Sequence, residues 1–198
     1  MAENTEAFAA ISQTLRSFLR PQEKVLLCNG AEVAAKATEA LGATVLCCDG
    51  KHSWQSLLRY VFSQRITVLM GSPKVILSLG KCAKVAGIPL PVRHVVLLEA
   101  VENEWLLEGI QNSLDARIHI CDLSCGDKQP DPLWRQLDEM LLSWSSILDY
   151  RAKRTEQGLC LEIIVFPGRK LPQLPSGASV TVRPWNPAAD GPVASWKA

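Results

Sequence analysis

The sequence predicts an α/β fold: a doubly wound, mainly parallel sheet with helices on both faces, followed by a long helix and a small β-rich segment. Two observations predict it. Five apolar runs of strand length are separated by segments whose apolar residues recur at helical spacing, and strands joined by helical crossovers pair in parallel. The runs are also continuously apolar, as in strands covered on both faces, rather than alternating like a half-exposed sheet.

Each element has its own grounds. Phe8, Ile11, Leu15, Phe18 and Leu19 fall on one helical face, so a helix is expected over 5–19, stopped by Pro21. Lys24–Cys28 (KVLLC) is the first strand, and the helix formers of 31–41 lead to Gly42 at a C-terminal cap position. Thr44–Cys48 (TVLCC) is the second strand. Ser53 can cap a helix carrying Trp54, Leu57, Leu58, Val61 and Phe62. The third strand is 67–70 (TVLM), followed by Ser72 as N-cap, Pro73 at the first helical position, and a helix to about Ala86 that ends at Gly87. Residues 94–98 (HVVLL), 103–114 and 117–121 (RIHIC) complete the alternation as strand, helix and strand.

Beyond Cys125 the pattern changes, dividing the chain into an α/β core over 1–125 and an appended segment over 126–198 packed on it. After a polar loop, Leu133, Leu137, Leu141, Trp144 and Leu148 predict a long amphipathic helix continuing to about Arg154. LCLEIIVF (159–166) and ASVTVRPW (178–185) read as strands, and the prolines that follow Phe166 exclude a helix there.

Composition narrows the function classes. At 198 residues, with 47% hydrophobic and 21% charged, the chain can bury a substantial core. Its 21 basic and 20 acidic residues leave a net charge of +1, which gives no electrostatic reason to expect nucleic acid or a membrane surface. No apolar run approaches the roughly 20 residues of a membrane-spanning helix. The N-terminus lacks a signal-peptide pattern. The seven cysteines sit mostly inside apolar runs, so reduced thiols and a cytoplasmic location are expected.

Over 26–125 the chain resembles the acyl-adenylate-forming (AMP-binding) ligase superfamily, nearest to its phenylacetate–CoA ligase branch. ALGATVLCCDG (40–50) is similar to that family's lGAtvip strand entry, and ITVLMGSPKVILSLGKCAKVAGIPL (66–90) to its tvlvgtPsyll segment. VRHVVLLEAVENEW (92–105) parallels the strand ending in a G-A-E-P-like turn, and ARIHICDLS (116–124) the strand leading to Y-G-L-S-E. GLCLEIIVFPGRKLPQLPSG (158–177) resembles the β-rich segment that follows. The resemblance covers about three-quarters of the chain and implies a pocket at the carboxyl end of the sheet. Gly71, Ser72, Glu99, Asp122 and Ser124 are the positions where a vestigial nucleotide or acyl site would lie.

The departures argue against adenylation by this chain alone. No T-S-G-T-T-G-like phosphate loop occurs in the 198 residues, so no backbone cradle for ATP phosphates is expected. In the Y-G-L-S-E motif Cys121 stands at the aromatic position, Asp122 at the glycine and Cys125 at the magnesium-binding glutamate. A thiolate is a poor ligand for magnesium. The glycine and proline of G-A-E-P are absent around Glu99, and so is the lid with its catalytic lysine. No catalytic residue and no resident cofactor are therefore expected, with ATP and magnesium only in company with a partner chain.

Other residues have plainer readings. His119, Cys121 and Cys125 come nearest to a zinc set, but H-x-C-x-x-x-C is not a standard knuckle, so no metal is expected. Cys47 and Cys48 read as structural, Lys74 as solvated or paired, and Glu99, Glu102 and Glu104 as acids favoured in a helix first turn. Trp134, Trp144, Trp185 and Trp196 imply an apolar face that a second copy of the chain or another protein would cover. The function expected is a non-catalytic relative of acyl- or aryl-CoA ligases acting as a binding or assembly module. The alternatives are a subunit that completes a ligase with a partner, and a binder of small aryl or acyl acids or nucleotides at the sheet edge.

Overall fold

A computed structural model describes residues 2–28, 32–48, 52–101, 103–123, 132–155, 158–169, 171 and 178–191. The core alternates α1 (Ala2–Arg16), β1 (Lys24–Cys28), α2 (Glu32–Glu39), β2 (Thr44–Cys48), α3 (Trp54–Ser63), β3 (Val68–Gly71), α4 (Pro73–Ala86), β4 (His94–Leu97), α5 (Glu104–Leu114) and β5 (Arg117–Ile120). The five strands form one sheet in the order β2-β1-β3-β4-β5, with every pair parallel. This is the doubly wound α/β fold expected from the alternation.

Alternate residues of each buried strand serve opposite faces. Leu26, Leu69, Val95 and Leu97 join Trp54, Leu57, Leu58 and Val61 of α3, Ile76 and Leu77 of α4, and Ile110 of α5 in the larger core. Val25, Leu27, Val68, Met70 and Val96 face the other way, against Ile11 and Leu15 of α1 and Ala34 and Ala37 of α2. Three helices thus cover one face and two the other. The helix ends follow the sequence: the Ser53 hydroxyl accepts from the Ser56 N–H, Pro73 opens α4, and Gly87 closes it at φ 65°.

The appended segment departs from expectation. The helix predicted to run to about Arg154 is α6 (Pro132–Leu142) alone, and the chain then enters β6 (Ile147–Thr155). β6 pairs antiparallel with β7 (Gly158–Val165), and β8 (Ser179–Pro184) lies parallel to β7, giving a second sheet β6-β7-β8. The physical cause of the early stop is Lys81. Its buried ammonium, on α4, donates to the carbonyls of Leu142 (2.6 Å), Trp144 (3.1 Å) and Ile147 (2.9 Å). The carbonyls of Leu142 at the end of α6, Trp144 in the turn after it and Ile147 at the start of β6 are thereby gathered on one cation, which complements the helix C-terminus. The Ser78 hydroxyl donates to Leu148 O one turn away.

Among the described residues no helix is long and apolar enough to cross a membrane.

Candidate functional site

The strand order reverses between β1 and β3, and the carboxyl ends of the strands at such a reversal are where open α/β sheets bind ligands. β1 and β3 remain paired to their last residues, Cys28 opposite Gly71. The Ser72 N–H donates to Cys28 O at 3.3 Å. Gly71 has φ +145°, and a Cβ there would stand 1.8 Å from Cys28 O, so no other residue fits. Next to it, the Leu98 N–H donates to Gly71 O at 3.1 Å, bringing β3 and β4 to a common edge. The Ser72 hydroxyl donates across this edge to Glu99 Oε2 at 3.4 Å instead of capping α4. Gly71, Ser72 and Glu99 are therefore brought together.

The remaining predicted positions separate. Cys121 is buried among Ile11, Leu15 and Val96 on the α1–α2 face, and burial pushes its thiol upward while a hydrogen bond with Thr14 opposes this. Asp122 is exposed, and Ser124 and Cys125 lie outside the described residues. His119 turns its Nε2 to Nδ1 of His94, 3.1 Å away. Among the described residues no three acidic, histidine or cysteine side chains converge as a metal would require. A magnesium nucleotide asks for hard oxygen donors, and the described part of this edge carries the Glu99 carboxylate, which accepts from Ser72, and the exposed Asp122. No adenylation step is assigned to these residues.

Lys74 is paired: its Nζ lies 2.6 Å from Asp138 Oδ2, and the Tyr150 hydroxyl donates to Asp138 Oδ1 at 2.7 Å. Cys28 and Cys48 are buried and Cys47 is exposed. Burial pushes the Cys28 thiol far up, so it carries no thiolate near neutrality. Trp185 is buried and meets Phe166 edge-on, with centroids 5.2 Å apart. Trp144 is half exposed. Trp196 and the side chain of Trp134 lie outside the described residues.

The chain's own C-terminal segment reaches the same edge. The N–H of Trp54 donates to Asp190 O (2.7 Å) and that of Gln55 to Pro187 O (3.1 Å). These are first-turn donors of α3, which a bound anion would otherwise use. The segment is fixed by Arg183, whose guanidinium bridges Glu162 (2.8 Å) and Asp190 (2.7 Å). A Cβ at Gly191 would come within 1.9 Å of His52 O, so the backbones are in direct contact.

An open depression of about 750 Å³ lies at the opposite, amino end of the sheet, lined by Arg93, Gln111, Asp115, Arg117 and His119 among others. That position is remote from the edge where the fold binds ligands. Sequence reasoning passed over Lys81 and His94. Lys81 reads as one more surface lysine of an amphipathic helix, and His94 as the first residue of an apolar strand. A second histidine on the neighbouring strand was the available signal for His94.

No protein-family model matches the chain, and no curated protein sequence matches it. Solved structures do. 2-Hydroxyisobutyryl-CoA ligase in complex with 2-HIB-AMP and CoA, in the thioesterification state, is similar with TM-score 0.52 and 13% identity over 61% of this chain and 28% of the ligase. The same ligase in the postadenylation state with 2-HIB-AMP gives TM-score 0.50 and 14% identity over 65% of this chain and 29% of the ligase. CmiS6 is similar at 21% identity and TM-score 0.47, over 58% and 30% of the two chains. The resemblance read from the sequence is thus matched in three dimensions. The chain has the fold of part of an AMP-binding acyl-CoA ligase and spans less than a third of such a ligase's length.

Proposed function

We propose that this chain is a non-catalytic relative of AMP-forming acyl- or aryl-CoA ligases, a binding or assembly module that keeps the sheet and has given up adenylation. The observation that carries this reading is the C-terminal segment at the sheet edge. Carbonyls of Pro187 and Asp190 occupy first-turn donors of α3, and Arg183 neutralises Asp190 while holding it there. A nucleotide phosphate entering this position would meet satisfied N–H groups and carbonyl oxygens. The buried Cys121 thiol and the absence of any T-S-G-T-T-G-like string in these 198 residues support the same reading. Among the described residues the cysteines form no disulfide and are mostly buried, which suits a reducing cytoplasmic setting.

Apolar side chains left exposed support a partner. Met140 in the last turn of α6 and Trp144 just beyond the helix are 37% and 47% exposed, and a second copy of the chain is the proposed cover. Light scattering on the purified chain tests this: a monomer at micromolar concentration removes the homodimer.

Pyrophosphate exchange into ATP, with magnesium and a panel of aryl and acyl acids, tests the main reading. No exchange is expected from the chain alone. Exchange that arises only on adding a second polypeptide assigns the chain to a split ligase, a reading favoured by the Ser72–Glu99 contact at the expected edge. Exchange by the chain unaided overturns both.

A further inference from the structure

At the amino end of the sheet two histidines meet on the face covered by α1. His94 opens β4 and His119 is the third residue of β5; in register, His94 lies beside Arg117 and His119 beside Val96. Two positions apart on adjacent parallel strands, they share a face, and His94 Nδ1 comes 3.1 Å from His119 Nε2. Phe18 covers both. Its ring centroid is 4.2 Å from each imidazole, with interplanar angles of 17° and 23°. Phe18 belongs to the turn that ends α1, its N–H and that of Leu19 donating to Leu15 O at 3.1 and 2.7 Å. The histidines are the floor on which the end of α1 rests.

We propose that the His94–His119 pair under Phe18 is an acid-sensitive clasp, holding the C-terminal end of α1 on the sheet and releasing it when both imidazoles carry a proton.

The 3.1 Å contact contains room for one proton. With both rings neutral, one N–H donates to the bare nitrogen of the other; with one ring charged, the same bond is charge-assisted. With both charged, two N–H groups oppose each other and two like charges lie beneath one aromatic ring. The surroundings sharpen this. Arg117 disfavours charge on both rings and Arg93 on His94, with Glu23 opposing them at His94. Glu23 is itself engaged, accepting from the Arg20 N–H (2.8 Å) and the Thr67 hydroxyl (3.2 Å). From α5, Asp115 borders the depression beside His119. Its carboxylate and the C-terminal carbonyls of α5 also make that depression a poor anion site, while the two arginines make the histidine pair a poor metal site.

The sign follows from the direction of the shifts. Burial, with neighbouring positive charge, holds both histidines below the ordinary 6.5. The folded chain therefore takes up these protons later than the unfolded one. The pair's contribution is fully present above pH 6.5 and is lost as pH falls through the folded-state values.

The chain has three histidines, so imidazole NMR resolves each one in the intact protein, with His52→Gln assigning the third. His94 and His119 are expected to titrate as a coupled pair, the second proton binding at least about tenfold more weakly than the first. Amide exchange at Phe18 and Leu19, corrected for intrinsic rates, is expected to lose at least about tenfold protection between pH 7.5 and 5. In a His94→Asn/His119→Gln double variant, whose amides replace Nδ1 and Nε2 without titrating, that loss should vanish. Should the double variant fail to fold, His119→Gln alone leaves His94 to titrate as an uncoupled group. Independent titration of the two histidines with a common midpoint overturns the clasp. So does an equal loss of protection in the variant.

Discussion

Gly71 is the residue on which the sheet edge turns. Its φ of +145° is a conformation that residues with a Cβ rarely adopt, and the space a Cβ would need is filled by the Cys28 carbonyl at 1.8 Å. Neither obstacle is a flexible side chain. Gly71→Ala is therefore expected to destabilise the protein by about 3 kcal/mol or more, with the urea midpoint falling at constant slope. A loss under 1 kcal/mol would mean that β1 and β3 separate at their ends without cost. The sequence disclosed half of this residue's role. Gly71-Ser72-Pro73 reads directly as a strand end followed by a helix start, because capping chemistry is local. The approach of Cys28 depends on β1 pairing with β3 across two intervening elements, which no local signal encodes. The hydroxyl of Ser72, expected to cap α4, goes to Glu99 for the same reason: β4 sets its surroundings.

Among the elements, the strands and crossover helices of the core were legible because each carries its own period and its own caps. The stretch after α6 was not. Leu141, Trp144 and Leu148 fall at helical spacing, yet Leu148, Tyr150 and Ala152 fit alternation equally well, and local pattern leaves the two open. Lys81 decides between them from outside the segment, by drawing three carbonyls towards α4. Its side chain is only 8% exposed. Burial lowers it from 10.5 to about 8, with Asp149 opposing, so it remains a cation with three donors at pH 7. Lys81→Met keeps most of the volume and removes every donor, leaving buried acceptors without partners. The expected cost is about 2–3 kcal/mol in chemical denaturation, together with faster amide exchange across 143–148. Unchanged stability would show that the helix stop is encoded in 143–147 itself.

The same residues tie the two sheets into one molecule. Leu142, Leu148, Ile164, Phe166 and Trp185, all beyond residue 125, belong to one continuous core with Leu57, Ile76 and Val95. Ser78 and Lys81 bond the start of the second sheet to α4, and the carbonyls of Pro187 and Asp190 reach α3. A molecule joined this way has no cheap partial opening, because parting the sheets exposes apolar surface on both and strands buried polar groups. Thermal unfolding is accordingly expected to be one transition, with calorimetric and van't Hoff enthalpies in agreement. Residues 1–125 expressed alone should keep helical circular dichroism while binding a hydrophobic dye and losing the sharp melt, since α4 and the α3 N-terminus would lose the residues beyond 125 that bond to them. A sharp, dye-free melt of that fragment would mean that the core over 1–125 is self-sufficient. The second sheet would then be an attachment, and its segment at the α3 N-terminus could leave without unfolding the rest. That outcome would also weaken the functional reading, because a detachable cover closes a site reversibly, whereas one built into the core closes it for as long as the protein is folded.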